Sequence, residues 1–171
     1  YPALAGYRGL LVDSTIPAKA PAWRSELFPK TGVMLRSGFP TERETSLLLL
    51  AGGFGGWRSH WDDDSGSFTL WGKGRIIADD FGYYGLAPRD DHSMVEAPGV
   101  TGPSGIMDIH QFVTFEGFDY VDGIRGDWRR QIVFVKDADP LGPNYFVVHD
   151  GFPQPVPATW RLWLTAQRVL L

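Results

Sequence analysis

No cysteine occurs in the 171 residues, which excludes a disulfide framework and a thiolate metal site. Any bound ion would have to sit on His, Asp, Glu or backbone oxygen. Long hydrophobic runs are missing too: stretches such as Leu47 to Ala51 and Phe146 to Val148 are far short of a membrane span. Basic residues are neither abundant nor clustered. Sixteen Lys and Arg against twenty Asp and Glu give a formal charge of -4, which disfavours duplex nucleic acid as a partner. No repeat period, low-complexity tract or G-x-S-x-G nucleophile elbow is present, and the serine of "TGPSG" lacks the strand-to-helix setting such a nucleophile needs. Neither a methionine nor a basic-then-apolar leader opens the chain at Tyr1, and Leu170 and Leu171 end it inside an apolar pattern. Both features fit a fragment or processed part of a longer protein.

What the sequence has in quantity is glycine (21), proline (13), phenylalanine (11) and tryptophan (7), a composition that turns often and packs aromatics. An all-β, two-layer antiparallel sandwich is the expected class. Residues 1–27 read as an N-terminal arm or linker, with a short helix or irregular stretch at Ala3 to Asp13 broken by Pro17 and Pro21. Residues 28–171 read as the sandwich domain. Phe28, Pro29 and Gly32 mark a turn before the strand "GVMLRSG", and "ETSLLLLAGG" is held to strand length by its following glycines. "SFTLWGKGRIIADDFG" predicts a hairpin turning at Gly72 to Gly74, with Asp64 before one strand and Asp80 after the other. His110 to Phe115, Trp128 to Lys136, Tyr145 to His149 and Thr159 to Ala166 complete seven or eight strands in two sheets. Within "WRRQIVFVKD", Gln131, Val133 and Val135 share one face and Ile132, Phe134 and Lys136 the other.

Chemistry-bearing residues concentrate in "RSHWDDDSGSFTLWGKGRIIADDFG", Arg58 to Gly82. His60, Asp62, Asp80 and His92, with Asp64 and Asp79 nearby, would supply the imidazole and carboxylate ligands of a divalent ion if the loops converge. The same residues are also compatible with a solvated acidic turn in which aspartates cap backbone amides. "AGGFGG" lacks the Lys-Ser/Thr ending of a phosphate loop and reads better as a tight bend ahead of His60. Trp57, Trp61, Trp71, Phe81, Tyr83 and Tyr84 flank the acidic cluster, as stacking platforms for sugar rings or as core. Arg58, Lys73, Arg75 and Arg89 would attract an acidic ligand or stand in solvent.

His60-Trp61-Asp62-Asp63-Asp64-Ser65-Gly66-Ser67-Phe68, then Gly74, then Asp80-Phe81-Gly82, then His92-Ser93-Met94-Val95 resembles the C-terminal β-sandwich of the heparinase II/III-like polysaccharide lyases, a group that includes oligo-alginate lyases. "WRRQIVFVKD" and "NYFVVHDGF" are similar to a strand pair of that domain, and the likeness runs from about Phe28 to Ala166. The resemblance implies a catalytic histidine at His60 and metal ligands at Asp62, Asp80 and His92. Zinc is the favoured ion, with calcium or manganese as options because Asp62 stands where the family has a second histidine. Among the flanking aromatics and basic residues, Arg58, Trp57, Trp61, Tyr83 and Arg89 are the candidate substrate contacts, while a family histidine near the last strand pair is replaced around Thr159.

The activity so implied is β-elimination on a uronate glycan, such as heparan-type glycosaminoglycan or alginate, with a tyrosine from an α/α-toroid missing from this chain. The expected partners are therefore an acidic polysaccharide or oligosaccharide and a toroid domain or partner chain. The expected location, by resemblance, is periplasmic or secreted. A non-catalytic, metal-stabilised sandwich that binds acidic carbohydrate or a partner domain is the alternative.

Overall fold

The computed structural model describes residues 17, 22–52, 63–80, 91–97 and 105–165. Five strands, β1 (Glu26–Phe28), β2 (Gly32–Ser37), β3 (Thr45–Leu50), β4 (Phe68–Gly72) and β5 (Arg75–Ala78), form one antiparallel meander in chain order. A two-residue strand, β6 (Val95–Glu96), follows. Four longer strands, β7 (Asp108–Thr114), β8 (Phe118–Arg125), β9 (Trp128–Val135) and β10 (Tyr145–Gly151), make a second meander, and β11 (Thr159–Trp160) pairs with β6. The all-β sandwich expected from the sequence is what forms. The eleven described strands in three sheets exceed the expected seven or eight in two, because β1, β6 and β8 escape the sequence pattern and the last expected strand shrinks to β11.

Alternation of side chains explains the two large sheets. In β9 the buried positions are Trp128, Arg130, Ile132 and Phe134, each followed by a more exposed neighbour. Val33 and Leu35 of β2, Leu47 and Leu49 of β3, Val121 of β8, and Ile132 and Phe134 of β9 are at most 1% exposed and belong to one apolar cluster. Each such side chain contributes about 1.5–3 kcal/mol by leaving water, which is why the two inner faces close on each other. Phe134 stacks on Phe146 at 4.3 Å between centroids. The β4–β5 hairpin turns on Lys73 (φ 53°) and Gly74 (φ 85°), two consecutive left-handed residues that match the twist of a tight hairpin.

The sandwich has two distinct ends. At one, the loop after β3 leaves from Leu50, β4 begins, β5 runs out to Asp79 and Asp80, and the β8–β9 turn at Arg125 to Trp128 closes the second sheet. At the other lie Ser37, Thr45 and Gly72 of the first sheet with Thr114, Phe118 and Lys136 of the second. That far end is clipped by Asp119. Its buried carboxylate accepts bonds from Ser25 Oγ (2.5 Å), Thr114 Oγ1 (2.5 Å) and Lys136 Nζ (2.8 Å), so β8 is tied to the segment leading into β1. Among the described residues no helix is long and apolar enough to cross a membrane.

Candidate functional site

Asp80 and His92 meet at the end where the chain leaves β5. His92 Nδ1 lies 2.7 Å from Asp80 Oδ2, with the imidazole fully buried and the carboxylate partly open. A carboxylate only accepts, so Nδ1 carries the proton of this bond. The two residues are brought together by the segment Arg161 to Thr165, which stitches both flanks. Trp163 O accepts the Asp79 N–H (3.1 Å), and Ser93 Oγ accepts the Trp163 N–H (3.2 Å). Met94 O accepts the Arg161 N–H (3.0 Å), while Leu164 bridges Ala78 and the Thr165 N–H bonds Ile77 O. The expected final strand thus acts as a strap joining β5 to β6.

Beside this pair, the turn Asp63 to Gly66 is anchored from below by two arginines of the second sheet. Arg125, 1% exposed, donates from Nη1 to Ser65 O at 2.7 Å and pairs through Nη2 with Asp63. Ser65 Oγ accepts the buried Met107 N–H at 2.7 Å. Arg130 is fully buried and donates from Nη1 to Gly66 O (2.6 Å) and Ser93 O (3.0 Å), while Nε and Nη2 grip Asp150 at 2.7 and 2.9 Å. Its guanidinium lies over the rings of Trp128 (4.7 Å) and Phe68 (5.4 Å). Asp150 also accepts the indole N–H of Trp128 (2.7 Å) and Trp160 (2.8 Å). One ion pair therefore fixes the segments before β4 and after His92 at once.

Gly66 is required for this closeness. Its φ is +96°, and a Cβ there would lie 2.6 Å from Trp128 Cζ3 and 2.8 Å from Met107 Cε. The "Gly-Ser-Phe" of the sequence motif is thus the place where the first sheet's loop presses on the second sheet.

Of the residues expected to form the site, the structure joins Asp80 and His92. Arg58, Trp57, His60, Trp61, Asp62, Tyr83 and Arg89 lie outside the described residues. The expectation of a divalent metal cofactor, whether zinc, calcium or manganese, is corrected: among the described residues no group of three or more His, Asp or Glu side chains is placed to hold an ion. Asp80 and His92 instead satisfy each other directly, imidazole to carboxylate. Arg125, Arg130, Asp150 and the strap at Trp163 were not anticipated as part of this region. Their only trace in the sequence is parity, since Arg130 falls on the inward face of β9 and Asp150 stands opposite it in β10.

On the outer face, Asp122 accepts Arg129 Nε and Nη2 at 2.7 and 3.0 Å, and this partnership raises the Arg129 pKa above its ordinary value. That pair lies on the opposite face of the second sheet from buried Arg130.

No protein-family model matches the chain, and no curated protein matches it. Solved structures do. A heparinase III, the BT4657 gene product, superposes with a TM-score of 0.58 at 19% identity over 76% of this chain and 22% of that one. The heparan sulfate lyase HepC from Pedobacter heparinus gives 0.51 at 19% identity over 69% and 23%, and a mutant of the same lyase gives 0.50 over the same shares. The chain is a β-sandwich whose fold resembles part of these lyases, and it spans less than a quarter of their length.

Proposed function

We propose that this chain is the sandwich part of a polysaccharide lyase that cleaves a uronate-containing glycan by β-elimination. The observation that carries the reading is the Asp80–His92 pair at one end of a sandwich resembling that of heparinase III, where it joins the Asp80-Phe81-Gly82 and His92-Ser93-Met94-Val95 parts of the motif. In this scheme His60 takes the C5 proton of the uronate, a weakly acidic proton whose removal becomes feasible once the neighbouring carboxylate charge is offset. The C5–H electron pair forms the C4–C5 double bond, and the C4–O bond breaks with its electrons leaving on the glycosidic oxygen. A tyrosine from a helical toroid domain or partner chain protonates that oxygen.

Arg58, Arg89 and the aromatics Trp57, Trp61 and Tyr83 hold the acidic sugar. Asp62 stands two positions after His60 in the sequence, and Asp80 and His92 act as positioning residues at the two ends of segment 81–91, whose flanks the strap joins. Acidic glycans of this type are met outside the cytoplasm, and the proposed location is accordingly the periplasm or the exterior.

The test is the ultraviolet absorbance of unsaturated uronate products after incubating the protein that carries this chain with heparan sulfate and with alginate. Cleavage of one of them, lost in His60→Ala, is the expected result. Binding without any unsaturated product, or an unchanged rate in His60→Ala, would refute it.

A further inference from the structure

The outer face of the second sheet, away from Arg130, carries a hollow of about 430 Å³ beside the β8–β9 turn, within the size range of small-ligand sites. Strand register explains why it is there. On this face Arg129 of β9 stands between Ile124 of β8 and Gly151 of β10, and His149 stands beside Gln131. Arg129 reaches along β8 to grip Asp122, and Gly151 has no side chain, so the face stays open above it. Neither backbone nor packing asks for glycine at this position. Its φ lies outside the left-handed region, and, chain neighbours apart, a Cβ there would meet nothing among the described residues nearer than His149 Cε1 at 3.5 Å. The hollow therefore exists because one side chain is missing.

The groups around it are held in defined orientations. His149 Nδ1 lies 3.2 Å from Gln131 Oε1, and Gln131 Nε2 donates to Tyr120 Oη at 2.5 Å. An amide oxygen only accepts, so Nδ1 carries the imidazole proton and Nε2 of the neutral ring keeps its lone pair. That nitrogen has no hydrogen-bond partner among the described residues, and Asp127, in the turn, makes no ion pair with any of them. Arg129 offers its remaining Nη1 as a donor, with its charge already compensated by Asp122. Half-buried Phe152 adds an apolar wall. Two acceptors, one donor and an apolar wall match a ring with hydroxyls on its rim and C–H groups on its face. The one uncompensated charge, on Asp127, repels a carboxylate or sulfate. We propose that this hollow binds an uncharged saccharide, seating a pyranose over Gly151 and against Phe152 with hydroxyls donating to His149 Nε2 and Asp127. It does not depend on the lyase reading, since a sugar without a uronate carboxylate is not a substrate for that elimination.

The experiment is calorimetric titration of the protein with cellotriose, mannotriose, maltotriose and xylotriose, and with an alginate trimer in the His60→Ala background, which prevents turnover. The His149 imidazole resonances give the place. Saturable binding of at least one neutral trisaccharide that shifts the His149 signal is expected, with the alginate trimer weaker. Gly151→Val puts a branched side chain into the hollow on a backbone that accepts it, and should weaken that sugar at least about tenfold with the thermal midpoint unchanged or raised. His149→Ala, at an exposed position, removes one acceptor and should weaken it roughly fivefold. No binding of any of the four, an unmoved His149 signal, alginate bound as tightly as the neutral sugars, or undiminished binding in Gly151→Val overturns the proposal. If Gly151→Val lowers the midpoint, undiminished binding in His149→Ala overturns it instead. Cleavage of uronate glycans is assayed apart from these titrations, so failure of the lyase reading and failure of this site are told apart.

Discussion

Replacing Arg130 by alanine should be among the most damaging single changes in the described part of the chain. The side chain is fully buried, makes a two-point ion pair with Asp150, supplies donors to Gly66 O and Ser93 O, and fills the space between Trp128 and Phe68. Removing it leaves the largely buried Asp150 carboxylate with two indole N–H donors and no cation. Breaking a buried pair from one side costs about 3–5 kcal/mol, because an uncompensated charge stays in a poorly solvating interior. A domain is held by only about 5–15 kcal/mol, so Arg130→Ala removes roughly a fifth or more of the total. At roughly 2–4 °C per kcal/mol for a chain of this size, the thermal midpoint should drop by about 6–20 °C. Urea titration followed by tryptophan fluorescence measures the free energy directly. Arg130→Lys keeps the charge without the planar fork and should fall between wild type and alanine. A loss below about 1 kcal/mol for Arg130→Ala would mean that the pair is solvated in solution and that the loops before β4 and after His92 are held by something else.

Four further outcomes are expected. Gly66→Ala must place a methyl against Trp128 and Met107 from a left-handed backbone, and should cost about 1–3 kcal/mol in urea unfolding; a neutral result would show that the turn relaxes freely. Ser65→Ala strips the buried Met107 N–H of its acceptor at 2.7 Å and should cost about 1–3 kcal/mol, with Met107 amide exchange accelerated toward that of surface amides. Because Asp80 and His92 bond to each other, Asp80→Asn, which can still accept from Nδ1, should be tolerated far better than Asp80→Leu. A chelator should leave the unfolding midpoint unchanged, and a midpoint that falls with chelator would contradict the direct pairing.

Much of the fold was legible because its signals are local. Lys73 and Gly74 stand where a tight hairpin needs two left-handed residues, and the alternation in β9 follows directly from the two-residue period of a strand. β8 was not legible. "FDYVDGIR" carries two aspartates and a glycine, residue types depleted in strands, yet Asp119 is buried under Ser25, Thr114 and Lys136 and Asp122 under Arg129. Partners supplied by other segments convert such a string into a central strand.

The sequence by itself determined the all-β class, the main turns, the alternating faces, and the place of Asp80 just after the second strand of the β4–β5 hairpin. Tertiary structure alone decided that Asp80 and His92 face each other rather than an ion, since residue types and spacing state which groups are available but not where they point. It also decided that Arg130 would hold Gly66, Ser93 and Asp150 together. Those partners lie 64, 37 and 20 positions away in the chain, and only the closing of the two sheets, driven by apolar burial, brings them within a hydrogen bond's reach.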